Sequence, residues 1–422
     1  MTTSTSDRIL SQFLFHVDSA RLTLLHPDSR FRSLLIAQLL NQTATPVFYY
    51  ALGPEDIDVE AFTSGLVHDL AAQHPTFGRH LCLVKPDATT NLDQLTDALA
   101  RDLEELCETR YYLILDEYDR SDAADDIQAL IEQLTAKLPA QCHLVINSRT
   151  LPRLSWISLI ARGYAVIVRD DQLVKQNFYG PKSTDGPLLD VFALGPGFVL
   201  LNDRPIDSWE GHLPRLLFFF SLDRPAITRS EICQAFWPEL DTDQAVNVFH
   251  VTKRRLHKAL AMDVLVHEDG YYQINPALEV RYDAEIFVTA LVDGRSQEGA
   301  AGLPHWQRAI ECYRGPFLQG HSDEWIVKRR HDFRAGYLEA LIALARIRLE
   351  ENRPEHALSL YQRALGEDIF REDLHQALMR LYTQLGRRSE AAAHYQRLVE
   401  EMRRLGHTLS EETHAVYQEL MG

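Results

Sequence analysis

The sequence predicts a multidomain protein of mixed α/β and all-α class: a parallel α/β unit, then a winged helix-turn-helix, then an array of paired helices. Three observations carry that expectation. Short apolar runs alternate with amphipathic helical patterns up to about Val168, a basic helical pattern is followed at once by a hairpin signature over Val264 to Ile274, and the last third repeats itself at a 34-residue spacing.

The α/β expectation rests on Leu22 to Leu25, Val47 to Tyr50, Tyr112 to Leu115 and Leu144 to Ile146, each short, apolar and separated from the next by helical sequence. Ile127, Leu130, Ile131, Leu134 and Leu138 fall at helical spacing and predict an amphipathic helix laid on the sheet. Tyr179 to Pro187 then concentrates turn formers with no side chains for a core. The predicted division is residues 1–179 for the α/β domain, 180–187 for a linker, 188–282 for the winged helix and 283–422 for the helical array.

At 422 residues and 45% hydrophobic composition the chain is long enough for several cores. No run reaches the roughly 18 to 20 apolar residues of a membrane span, and Met1 to Arg8 lacks a basic-then-apolar signal layout, so a soluble, cytoplasmic protein without membrane contact is expected. Five scattered cysteines without a C-x-x-C pair predict neither a disulfide framework nor a zinc site. A net charge of −17 confines any nucleic-acid contact to a local basic stripe.

Such a stripe exists. Thr228-Arg229-Ser230-Glu231 fits a capping box, and Pro238 ends the short helix that follows. Asp241-Thr242-Asp243 supplies a cap and negative charge for the next helix, Gln244 to Met262, which contains no acidic residue. Ala245, Val248 or Phe249, Thr252, Leu256 and Leu260 trace its apolar face. Asn247, His250, Lys253, Arg254, His257 and Lys258 trace the other, with cations for phosphates and guanine edges and an amide for adenine. Val264 to His267 and Tyr271 to Ile274 then flank Glu268-Asp269-Gly270, the signature of a hairpin wing. A second, basic helix followed by a wing is the arrangement that delivers a recognition helix to the major groove.

Phe198 to Leu201, Asp203-Arg204-Pro205-Ile206, Phe236-Trp237-Pro238-Glu239, Ala245 to Arg254 and Gly270-Tyr271-Tyr272 resemble the response-regulator-type winged helix of bacterial transcriptional activators. Over 283–422 the 34-residue repeat aligns Ala343, Leu344 and Ile347 with Ala377, Leu378 and Leu381. It also aligns Arg353, Ala357, Tyr361, Gln362 and Arg363 with Arg387, Ala391, Tyr395, Gln396 and Arg397. This region resembles a tetratricopeptide array and, with the preceding unit, the bacterial transcriptional activator domain family that includes the streptomycete antibiotic regulatory activators. The resemblance implies promoter DNA and RNA polymerase as partners, and leaves homo-oligomerisation open.

The N-terminal region resembles the ATPase module of maltose-regulon-type activators, with a degraded phosphate loop. His26 to Ser33 puts Ser29 and Phe31 where that module has glycines and Arg32 where it has lysine, and only Ser33 keeps the expected hydroxyl. A phenyl ring at Phe31 fills the space that a phosphate needs. Leu113 to Glu117 still matches an apolar strand ending in the carboxylates Asp116 and Glu117, and Asn147-Ser148-Arg149 follows a later strand as sensor groups would. Asp28 is placed to cap the next helix and occupy the anion site itself. The expectation is a pseudo-NTPase with no cofactor, ATP and magnesium entering only if the degenerate loop still binds, and no catalytic residue or metal site. Eighteen histidines include the pairs His250 with His257 and His407 with His414, neither in a ligand register. The functional expectation is a sequence-specific transcription regulator acting as an activator by recruitment. Its rivals are an ATP-driven switch controlling oligomerisation and a scaffold that does not bind DNA.

Overall fold

A computed structural model of the chain describes residues 20–27, 29, 32–42, 45–84, 91–168, 187–206 and 209–421, with residues 10, 13 and 14. Asp28, Phe31 and most of the expected linker lie outside the described residues.

The first unit runs β1 (Leu22–Leu25), α1 (Arg32–Gln42), β2 (Val47–Ala51), α2 (Val59–Ala71), α3 (Arg79–Val84), α4 (Leu92–Leu106), β3 (Tyr111–Asp116), α5 (Asp125–Lys137), β4 (Cys142–Asn147), α6 (Trp156–Ala161) and β5 (Ala165–Val168). Its five strands are all parallel in the order β2-β3-β4-β1-β5. β1, β3 and β4 are buried almost end to end, as expected of strands covered by helices on both faces. One face carries Leu113, Leu144 and Ile146 into the main core, and the other carries Ile114, Val145 and Tyr112 against Leu35, Ile36 and Leu39 of α1. Ile127, Leu130, Ile131 and Leu134 of α5 are fully buried, so the helical stripe faces the sheet as its spacing predicts.

The second unit opens with β6 (Leu188–Phe192), β7 (Phe198–Leu201) and β8 (Arg204–Pro205), followed by α7 (Leu213–Ser221), α8 (Arg229–Phe236), α9 (Thr242–Leu260), the hairpin β9 (Leu265–Glu268) and β10 (Tyr271–Ile274), and β11 (Glu279–Tyr282). Only β7 of the first three strands was expected. β6 and β11, far apart in sequence, pair in parallel within a sheet ordered β11-β6-β7-β8. The apolar run Leu216 to Phe220 is buried in α7 as the core of this unit.

The remainder is helical: α10 (Asp283–Arg295), α11 (Leu303–Cys312), α12 (Glu324–Glu350), α13 (Pro354–Glu367), α14 (Glu372–Gln384), α15 (Arg388–Arg404) and α16 (Glu411–Met421). The repeat becomes two helix pairs, α12 with α13 and α14 with α15, closed by α16. Ala357 and Ala391 are fully buried at equivalent contacts, where a larger residue would force the helices apart. Tyr361 is buried, and Tyr395 stacks on Tyr417 at 3.8 Å, so both tyrosines serve packing. Gly336 of α12 lies where a Cβ would stand 2.6 Å from Leu291 Cδ1 and 2.7 Å from the Ala161 carbonyl oxygen. That close approach seats the helical array on α10 and on the α/β unit. No helix among the described residues is long and apolar enough to cross a membrane.

Candidate nucleic-acid interface

The Thr228 hydroxyl accepts from the Glu231 amide at 3.2 Å, and the Glu231 carboxylate accepts from the Thr228 amide at 2.8 Å, completing the capping box that starts α8. Asp241 caps α9 by accepting from the Gln244 amide at 2.9 Å. Ala245, Phe249, Thr252, Leu256 and Leu260 are the buried face of α9. Asp269 and Gly270 both take positive φ, at 50° and 89°, which is the type I′ geometry that matches strand twist across a two-residue turn. The Ile227 and Tyr272 backbones bridge, tying the wing to the segment just before α8.

The structure separates the six predicted contact residues of α9. Asn247, His250 and Arg254 are exposed, one to two turns apart on a single face. Lys253 is half-buried, its ammonium 5.2 Å from the Tyr272 ring centroid. Lys258 is exposed but paired with Glu210, which also lies 3.7 Å from Arg255. His257 is turned inward: Nδ1 donates to Asp263 at 2.8 Å and Nε2 accepts from the Leu265 amide at 3.3 Å. Burial, with the Lys253 ammonium nearby, holds its pKa below the ordinary histidine value, so the neutral ring fastens the helix to the wing. Val251 was missed. It is 49% exposed between His250 and Arg254, an apolar group suited to a thymine methyl, and its signal was an apolar residue at a polar-face position.

At the carboxyl ends of the parallel strands, Leu25 of β1 is level with Asn147 of β4 and Ala51 of β2 with Asp116 of β3. Ligands of open α/β sheets bind in such a crevice. Here the protein's own groups engage one another. The Arg32 guanidinium donates to the Asn147 side-chain oxygen at 3.3 Å and to the carbonyls of Ser148 at 2.5 Å and Ser29 at 3.3 Å. Asp116 accepts from Asn147 Nδ2 at 2.7 Å, from the Tyr49 hydroxyl at 2.6 Å and from the Glu117 amide at 2.7 Å. Burial and the bond to Asp116 push the Tyr49 phenol well above its ordinary range. Glu117 adopts the left-handed conformation, φ 51°, and pairs with Arg120. Ser33 lies exposed in the first turn of α1.

One group of metal-ligating type occurs among the described residues, His80, Asp102 and Glu105. Both Asp102 oxygens accept backbone amides, from His80 and Leu81 at 3.0 Å, and Glu105 pairs with Arg79. These contacts account for the cluster as the anchor of α3.

Residues 283–421 match the profile of the bacterial transcriptional activator domain. The C-terminal third is thus similar to the bacterial transcriptional activator domain. The matched region starts with Asp283, whose buried carboxylate accepts from the amides of Ala193 and Leu194 at 2.8 and 3.0 Å and ties it to the strand unit before it. Burial pushes that carboxyl up to about 6.

No match was found among curated proteins. Among solved structures, a signal transduction ATPase with numerous domains carrying a tetratricopeptide repeat sensor, from Pyrococcus horikoshii, is 15% identical with a TM-score of 0.28. The match covers 98% of this chain and 66% of that one. A Walker-type ATPase of Pyrococcus abyssi is 11% identical with a TM-score of 0.25, covering 65% of this chain and 96% of that one. Likeness at this level carries no inference about fold or function.

The activator domain meets both other units at Arg329 of α12, which is 5% exposed. Arg329 bonds Asp223 of the winged unit at 2.7 Å and Ser155 of the α/β unit, and lies 3.8 Å from Glu132 of α5 and 3.7 Å from Asp332. Arg224 extends the network to Glu231 at 2.7 Å and Glu132 at 3.4 Å.

Proposed function

We propose that the protein is a sequence-specific DNA-binding transcription regulator that acts as an activator in the cytoplasm. In this reading 188–282 is the winged-helix domain that binds promoter DNA and 283–422 recruits partners, RNA polymerase first among them. Residues 1–179 form a pseudo-NTPase domain that docks on both rather than turning over nucleotide. The observation that carries the reading is the exposed face of α9, where Asn247, His250, Val251 and Arg254 project from the second helix of a helix-turn-helix that is followed by a wing. Asn247 suits adenine, Arg254 suits guanine or phosphate, and Val251 suits the thymine methyl. The sequence match of the adjoining region to a transcriptional activator domain supports the same assignment.

The test is salt-dependent binding of the full chain to the DNA upstream of its own coding sequence. Arg254→Ala is expected either to lower the salt slope by about one, for a phosphate contact, or to weaken the preferred site by roughly 1 to 3 kcal/mol, for a base contact. Wild-type affinity in a combined Asn247, His250 and Arg254 alanine variant would remove the interface. Saturable, magnesium-dependent ATP binding abolished by Asp116→Ala would overturn the pseudo-NTPase assignment.

A further inference from the structure

We propose that the α/β unit is a built-in competitor of DNA: it covers the backbone-contacting flank of the winged helix, with Arg153 as the latch, and tight DNA binding requires that latch to open. The proposal rests on the DNA-binding reading above.

In a helix-turn-helix the first helix crosses the sugar-phosphate backbone while the second enters the groove. The start of that first helix, with its unpaired amides and positive dipole end, is where a phosphate is held. In this chain that position is α8, and its cap is already engaged from outside the unit. The Thr228 hydroxyl donates to the Asp125 carboxylate of α5 at 2.8 Å, so an acidic oxygen of the protein stands beside the helix start. Arg153, only 3% exposed, fixes the arrangement. Its guanidinium reaches Asp125 at 2.7 Å, the Asp122 carbonyl at 2.8 and 3.0 Å, and, across the boundary, Glu231 of α8 at 2.6 Å.

The wing is held by the same segment. Tyr271, the first residue after the wing turn, donates its hydroxyl to the Asp122 carbonyl at 3.0 Å and lies with its ring 5.0 Å from the Arg153 guanidinium carbon. Helix start and wing are separate parts of the winged helix, yet one stretch of the α/β unit engages both. That stretch is also electrostatically wrong for DNA. Asp116 to Asp126 carries six carboxylates; Arg120 lies within it, Arg149 pairs with Asp119 and Arg153 with Asp125, so the stretch stays net acidic and repels the phosphates of a duplex laid along this flank. The α9 face stays exposed, so competition acts at the flanks and leaves base readout intact once the flank is free.

If the docked form holds about nine molecules in ten, apparent DNA affinity is lowered about tenfold. The experiment compares full-length wild type with Arg153→Ala and Asp125→Asn, both in the α/β unit and outside the DNA-reading elements. Binding is read by fluorescence anisotropy on a mixed-sequence duplex of about 30 bp at about 50 mM salt. Docking is read by amide hydrogen exchange at Thr228 to Glu231 and at Tyr271. The expected result is faster exchange at both places and about tenfold tighter binding in each variant. Faster exchange with unchanged or weaker binding overturns the proposal, because the contact then supports DNA binding rather than opposing it. Unchanged exchange in both variants overturns Arg153 as the latch. Arg254→Ala separates the two levels: wild-type binding that depends on Arg254 but does not tighten on undocking sinks the latch alone. Absence of binding by every form sinks the DNA reading and the latch together.

Discussion

Removing the Arg329 guanidinium tests whether the three units are held by a buried ionic centre. Arg329→Ala takes the central cation from Asp223, Glu132 and Asp332, which are 4%, 8% and 3% exposed. The fold has already desolvated these acids, so the loss is that of stranding buried charge, about 3 to 5 kcal/mol, rather than the small gain of an ion pair. The lower end is expected. Glu132 keeps Arg224 at 3.4 Å and Lys328 at 3.5 Å, and Asp332 keeps Arg162 at 3.2 Å. Arg387→Ala is the matched control. Its 2.6 Å pair with Glu355 is exposed at both ends, and its loss should stay below about 1 kcal/mol. Urea unfolding followed by tryptophan fluorescence, with Trp156 in the united core and Trp325 packed against it, reads the difference. Burial pushes the Glu132 carboxyl up, but Arg224, then Arg329 and Lys328, outweigh it and hold the pKa well below the usual carboxylate range. A depressed acid stabilises the fold above its unfolded pKa and loses that contribution as pH falls towards the folded value. The gap between wild type and Arg329→Ala should therefore narrow below about pH 4. A loss under about 1 kcal/mol at pH 7 would refute the account of a stranded buried charge.

The activator domain should weaken on acidification, because burial and then the neighbouring His375 lower the His394 pKa to about 4 and its neutral ring contacts His375 Nδ1 at 2.8 Å. A base whose folded pKa is lowered loses stability as pH falls from its unfolded value, about 6.5, towards 4. The loss, about 3 kcal/mol at the lower end, should appear in thermal melts and be flattened in His394→Gln. Gly336→Ala should destabilise by about 1 to 3 kcal/mol, since its Cβ meets a backbone carbonyl that cannot move aside; melting unchanged from wild type would contradict the close approach. Thr228→Ala should cost about 1 kcal/mol through the lost cap yet, if the latch holds, raise DNA affinity, a divergence visible by comparing melts with anisotropy.

The sequence determined those parts of the molecule whose physics is local. The Thr228 to Glu231 capping box, the Asp-Gly turn of the wing, the apolar stripes of α5 and α9 and the 34-residue repeat are legible because dihedral preference, capping and helical periodicity act over a few residues. What tertiary structure decided depends on partners distant in the chain. β6 and β11 are short strands that owe their pairing to each other, so neither announces itself alone. Arg32 reads as a degraded phosphate ligand until Asn147 and Ser148 are brought to it. His257 reads as a groove contact until Asp263 and the Leu265 amide take its two nitrogens. Arg153 and Arg329 carry no sequence signal at all. Each owes its role to burial against carboxylates from other units, and desolvation by assembly is a quantity that no window of sequence contains.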